Sequence, residues 1–223
     1  MIVNLNIDIE YHKNKFNKLI KNAKKISGMK KHNKFVKLTK KDHDLFCKII
    51  DNFAVNKGLN WYFEYMHSGE PVGLHSDDDV TYWTDDVECV QTESVIIPLD
   101  WNCKQPYTIC YDKINPFPRK MIFRKGEMRY TDNGEVFKYR KEWNYDEEVL
   151  KYNPRGTVFY KEYADLKVHE VYPWKLNTAF FLDTKRWHSS SWWLSENDVP
   201  DVSTEWKRCI IGFGAYDIPN RNL

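Results

Sequence analysis

Residues 177–193 read NTAFFLDTKRWHSSSWW. The apolar run ending at Leu182 predicts a strand. Asp183-Thr184-Lys185 then makes a short polar turn, and a second strand opens at His188. The same texture fills the chain from residue 60 onward. NWYFEYM (60–66), SVIIPLDW (94–101), YTICYD (107–112), KMIFRK (120–125), GTVFYKEY (156–163) and CIIGFGAY (209–216) are short, aromatic and β-branched, with turn residues between them. DNG at 132–134 reads as a hairpin turn.

Upstream the period changes. Phe16, Leu19, Ile20, Ala23 and Ile26 recur on one face of a helix over residues 13–26, and Ser27-Gly28 ends it. Thr39 opens a second helix, with Asp42 three residues on as a capping-box variant and Leu45, Phe46, Ile49, Ile50 and Phe53 at helical spacing. Only DEEVLKY (146–152) hints at another helix. Two helices followed by eight to ten strands predict a mainly β fold, a sandwich or barrel with N-terminal helices packed on one side. The stretch 112–172 is polar and Pro-bearing, and reads as an insertion between core strands of one 223-residue domain.

Composition narrows the class. Hydrophobic residues at 42% and aromatic residues at 16% exclude a disordered chain. No stretch approaches the roughly 18 apolar residues of a membrane span. The opening MIVNLNIDIEYHK does not read as a signal peptide. Five cysteines without a C-x-x-C pair argue against a disulfide framework and a zinc ribbon, so the expectation is a cytoplasmic protein with free thiols. P-loop, dinucleotide and serine-hydrolase signatures do not occur. The net charge of +2 hides an asymmetry: residues 11–41 hold twelve lysines and no acid, which leaves the remainder near −10. That basic segment is either an arm for nucleic acid or another polyanion, or the solvated face of a helix docked on an acidic body.

Residues 73–79, GLHSDDD, carry the chemistry. On an extended segment His75 and Asp77 point to the same side, where an imidazole and a carboxylate can share one metal. Mixed nitrogen and oxygen donors suit Fe(II), Mn(II) or Zn(II). The bland reading is an acidic surface turn. A third ligand would decide it, and His188 supplies one, with His169 as a rival. Arg208 heads the last strand twenty residues after His188.

In YMHSGEPVGLHSD (65–77), TESVIIPLDW (92–101) and LNTAFFLDTKRWHSS (176–190), the chain resembles the Fe(II)- and 2-oxoglutarate-dependent oxygenases of the prolyl-hydroxylase-like group. The resemblance runs from about residue 61 to 216. It implies a double-stranded β-helix, of jelly-roll or cupin-like form, with His75, Asp77 and His188 as ligands of Fe(II). It also implies that Arg208, assisted by Tyr65, binds the distal carboxylate of 2-oxoglutarate. The implied reaction consumes O2, releases succinate and CO2, and hydroxylates a C–H bond of a substrate. Asp77 stands where a halogenating relative would carry a small residue, which favours hydroxylation. The gap from His188 to Arg208 is longer than the family's usual spacing, and Ile210 stands where many relatives carry a small hydroxyl residue. Two other readings stay open: a cupin-like metal protein without 2-oxoglutarate, and a non-enzymatic module attached to a polyanion through its lysines.

Overall fold

Alternation along extended strands sorts the side chains of one long sheet onto two unlike faces, and that division positions the site. The structure, a computed structural model, describes residues 1–20, 34–77, 81–84, 87–114, 121–124, 127–130, 144–154, 163–194 and 204–216. In chain order the elements are β1 (Ile2–Asn4), α1 (Ile9–Ile20), β2 (Lys34–Lys37), α2 (Lys40–Asp51), β3 (Asn60–Ser68), β4 (Thr81–Thr84), β5 (Val87–Trp101) and β6 (Tyr107–Ile114). There follow β7 (Met121–Arg124), β8 (Glu127–Tyr130), α3 (Glu147–Tyr152), β9 (Val168–Pro173), β10 (Thr178–Asp183), β11 (Arg186–Ser190) and β12 (Lys207–Tyr216). A seven-stranded sheet runs β1-β10-β5-β12-β3-β2, with β4 attached to β5, and a three-stranded sheet runs β11-β6-β9. The pairs in both sheets are antiparallel.

One face of the large sheet packs on the helices. Phe16, Phe46 and Ile50 meet Phe63, Tyr65, Val95, Ile97, Phe181 and Ile210 there. The other face looks toward the small sheet, where Phe180, Leu182 and Cys209 meet Cys110, Tyr172 and Trp174. A third cluster joins Ile109, Tyr111 and Trp187 to Val149 of α3. The molecule is therefore a β-sandwich with helices outside it. Gly212 sits where a β-carbon would overlap the Phe63 ring and Val95, so the absent side chain lets that ring lie across the central strand.

The N-terminal helices are present with altered limits. The first begins at Ile9 rather than residue 13, because Ile9 and His12 extend its buried stripe. Residues 21–28 of the expected helix lie outside the described residues. Thr39 caps α2 as expected, accepting from the Asp42 amide and donating to its carboxylate at 2.8 Å. The buried stripe of α2 is Asp42, His43, Phe46 and Ile50, whereas Leu45 and Phe53 are 43% and 38% exposed. Lys13 pairs with Asp100 at 3.4 Å and Lys15 pairs with Asp42, so these two lysines hold α1 to the body.

Residues 168–172 of the expected insertion 112–172 belong to the small sheet. Strand β9 belongs to the core, with Tyr107 opposite Pro173 and Tyr111 opposite Val168. Strands β7 and β8 pair with Arg124 opposite Glu127, and DNG at 132–134 lies outside the described residues. Short edge strands β1 and β2 are additions to the sequence-based scheme. Among the described residues, no helix is long and apolar enough to cross a membrane. Cys47, Cys103, Cys110 and Cys209 are free thiols.

Candidate active site

His75 and His188 are partners in an antiparallel backbone bridge between the 71–77 loop and β11. The His75 amide donates to the His188 carbonyl at 3.0 Å and the His188 amide donates to the His75 carbonyl at 2.8 Å. Bridge partners project side by side, and the two imidazole centroids are 4.3 Å apart. Two residues on, the Asp77 amide donates to the Thr184 carbonyl at 2.8 Å, which turns its carboxylate toward the same point. One ligand atom from each of His75, Asp77 and His188 lies within 4.8 Å of the others. Each histidine places Nε2 3.5 Å from a different Asp77 oxygen.

The supporting hydrogen bonds set the direction of the donors. His75 Nδ1 donates to the Gly73 carbonyl at 2.7 Å and His188 Nδ1 donates to the Arg186 carbonyl at 3.0 Å. A carbonyl only accepts, so each Nδ1 carries a proton, and each Nε2 is the ring nitrogen that faces the cluster. Ser94 of β5 donates to Asp77 Oδ2 at 2.6 Å. Burial pushes the Asp77 carboxyl upward, but His188, His75 and the Ser94 hydroxyl outweigh it and hold the group below its ordinary value. Asp77 is therefore a carboxylate. His188 is 4% exposed at the side chain and Asp77 14%, against 37% for His75, so the cluster opens to solvent on the His75 side. Two imidazole nitrogens and one carboxylate on one side of a point, each oriented by an outer hydrogen bond, form a donor set for a divalent first-row metal with open positions.

The cavity around this cluster runs between the sheets and is lined by Met66, Ile96, Thr108, Trp174, Ser190 and Lys207 among others. Lys207 is 4% exposed and its Nζ donates to Ser190 Oγ. The ammonium lies 4.3 Å from the centroid of Trp174. Trp174 Nε1 in turn donates to Thr108 Oγ1 at 3.1 Å. Burial pulls the Lys207 ammonium down to about 8.

Two expected site residues are elsewhere. Arg208 follows Lys207 on β12 and faces the helices: its Nε donates to His67 Nδ1 at 3.2 Å, its Nη1 to Asn17 Oδ1, and its guanidinium stacks 3.8 Å from Trp206. Tyr65 is fully buried on that same face, stacked on Phe16, with its hydroxyl 3.0 Å from His12 Nδ1. Parity excludes both from the cavity, since residues one apart on a strand point to opposite faces. His169 is exposed on β9, away from the cluster. Strand β11 ends at Ser190, and the indole on the cavity wall is Trp174. Lys207 and Trp174 carry no motif that marks them as cavity residues, whereas alternation from His188 puts Ser190 on its face. Lys207 carries one signal, a basic residue heading the last strand, which it shares with Arg208.

No protein-family model matches the chain, and no curated protein matches its sequence. Solved structures do match. One is the non-heme alpha ketoglutarate dependent carbocyclase SnoK from nogalamycin biosynthesis, with a TM-score of 0.53 at 10% identity, over 96% of this chain and 79% of that one. Another is the non-heme alpha ketoglutarate dependent epimerase SnoN, with a TM-score of 0.51 at 8% identity, over 96% of this chain and 77% of that one. SnoN in complex with Fe3+, alpha ketoglutarate and nogalamycin RO gives 0.52 at 9% identity, over 96% and 78% of the two chains. At such identity the likeness is one of fold: this chain shares the fold of SnoK and SnoN.

Proposed function

We propose that this protein is a non-heme iron oxygenase that uses 2-oxoglutarate and O2, with His75, Asp77 and His188 as the ligands of Fe(II). The observation that carries the reading is the convergence of these three side chains at one point, with both histidine Nε2 atoms directed at it. The fold shared with SnoK and SnoN supports it, as does the binding of Fe3+ and alpha ketoglutarate by SnoN. On this reading the sandwich is a double-stranded β-helix, as in the prolyl-hydroxylase-like group.

When bound, iron and 2-oxoglutarate supply with O2 an oxidative decarboxylation to succinate and CO2, coupled to oxidation of a substrate C–H bond. The chain's own residues prepare for it. His75 and His188 are held by Nδ1–H bonds to the Gly73 and Arg186 carbonyls, which leaves Nε2 as the atom each presents. Asp77 brings the single negative charge and is fixed by Ser94. The three ligands occupy one side of the metal position, which leaves the His75 side for cosubstrate, O2 and substrate. Because Asp77 fills its place with a carboxylate, the outcome favoured is hydroxylation.

The test is anaerobic. Fe(II) is added to the purified protein, bound metal is counted, and 2-oxoglutarate is titrated while the visible band of a chelated 2-oxo acid is followed. The expected result is one iron per chain and a saturable band. His188→Ala and Asp77→Ala should weaken iron binding by more than the roughly 10–100-fold that losing a supporting hydrogen bond costs. Iron without a band would remove the cosubstrate from the reading. No bound iron would remove the reading altogether.

A further inference from the structure

The helical face of the large sheet, turned away from the three ligand atoms, carries a row of nitrogen donors at one end. Lys34 stands opposite His67 across β2 and β3, and Arg208 stands opposite His67 across β12 and β3. Register partners project to the same side, so the three side chains form one row. Arg208 is half-buried, and its two hydrogen bonds go to neutral groups, from Nε to His67 Nδ1 and from Nη1 to Asn17 Oδ1 of α1. A guanidinium has five N–H donors and no acceptor, so donors remain on Arg208, and His67 Nδ1 can only be accepting from it. The proton of the neutral His67 ring therefore sits on Nε2. Among the described residues, no carboxylate pairs with Arg208 or with Lys34. Asp100 lies opposite Arg208 in register but is paired with Lys13 at 3.4 Å. A partly buried cation held by neutral partners is costly until an anion completes its surroundings.

The charge around the row calls for a polyanion. Residues 11–41, which cover most of α1 and all of β2, hold twelve lysines and no acid. Lys13 and Lys15 are neutralised by Asp100 and Asp42. Lys18 and Lys34 meet no acid among the described residues. One small anion answers one of these charges, whereas a chain of phosphates answers several. The ring beside the row narrows the class. Trp206 is partly exposed and lies 3.8 Å from the Arg208 guanidinium. An acidic peptide offers carboxylates to the cations and nothing to the indole. A single-stranded nucleic acid offers phosphates to the cations and a base to the ring. We propose that Lys34, His67 and Arg208, with Asn17 and Trp206, form a docking surface for a single-stranded nucleic acid, on the opposite side of the large sheet from the metal ligands. The stacked guanidinium takes one phosphate through its remaining N–H donors, and Lys34 takes another as a point charge.

The experiment is a salt titration. A labelled oligothymidylate of about twenty nucleotides, which has no duplex to melt, is titrated with the full chain at about 50 to 200 mM salt, and its fluorescence anisotropy is followed. The logarithm of the binding constant should fall linearly with the logarithm of salt, by about 0.7 for each phosphate contact. Lys34→Gln and Arg208→Gln should each reduce that slope by about 0.7 and weaken binding about 8-fold at 50 mM salt, the counterion-release share of one contact. Lys57→Gln should change neither, since Lys57 precedes the other end of β3 and its Nζ donates to the Asp51 carbonyl at 2.9 Å. Unlabelled oligothymidylate should displace the probe, and polyglutamate of equal charge should not. Should Arg208→Gln fail to fold, Lys34→Gln carries the test, because that side chain has no partner to lose among the described residues. No anisotropy change with the wild-type chain, a wild-type slope in Lys34→Gln, or an equal loss in Lys57→Gln overturns the assignment. Displacement by polyglutamate overturns it in favour of an acidic protein partner.

Discussion

A lysine ammonium placed between an indole and a serine, out of reach of water, weakens the fold that contains it. Burial lowers Lys207 from its ordinary 10.5 to about 8, with the Cys209 and Cys103 thiols opposing the shift. Its folded pKa thus lies below its unfolded one. Between pH 8 and 10.5 the unfolded chain binds more protons, so stability should rise with pH across that window and carry the full penalty below it. At 1.36 kcal/mol per unit the penalty is roughly 3 kcal/mol. Lys207→Met should therefore be more stable than wild type at pH 7, and the difference should shrink toward pH 10. Urea unfolding at pH 7, 8, 9 and 10 measures this, and parallel curves would contradict it. The convergence of His75, Asp77 and His188 was legible in the sequence because the three are chemically distinctive and the H-x-D spacing places two of them together. Lys207 was not, because it stands beside Arg208. Two adjacent basic residues give no hint of which one faces the cavity, and a register shift between Arg208 and Cys209 opposite β5 adds to the ambiguity.

At the level of elements, the helices dock through buried polar groups as well as apolar ones. His12 and His43 lie against the large sheet and burial lowers both from their ordinary 6.5. Their neutral forms contribute stability above the unfolded pKa, and that contribution is lost as pH falls through 6.5 and below. The unfolding midpoint should drop from pH 7 to 5, and His12→Leu should drop less. The Thr39 cap should be worth about 1 kcal/mol, read as the loss in Thr39→Ala. Gly212→Ala should cost about 1–3 kcal/mol, because the added methyl displaces Phe63 or Val95 in a packed core. The cap was readable from Thr39 and Asp42 alone. The parity of β3 was not: NWYFEYM is buried on both faces, so alternation between apolar and polar residues vanishes and Tyr65 cannot be assigned a side.

Across the whole molecule, the large sheet separates two duties. Its helical face carries Tyr65 and Arg208 and holds the fold together, and its inner face carries Ser94 and Lys207 and serves the cavity. Tyr65→Phe should cost about 0.5–1.5 kcal/mol by losing its bond to His12, with no change in iron binding. A loss of bound iron in that variant would show that the two faces are coupled. The sandwich itself was legible from the number and texture of the strands. Its pairing order was not, since β5 lies between β10 and β12, and such distant partners leave no local trace in sequence.

The bridge between His75 and His188 reaches beyond ligand geometry. Residues 72–77 are tied to 184–190 by the amides of His75, Asp77, His188 and Ser190, the last of them donating to the Val72 carbonyl. These amides should exchange with solvent deuterium as slowly as the sheet core, before any metal is added. Iron would then enter a socket already shaped by folding, and its arrival should leave the exchange of those four amides nearly unchanged.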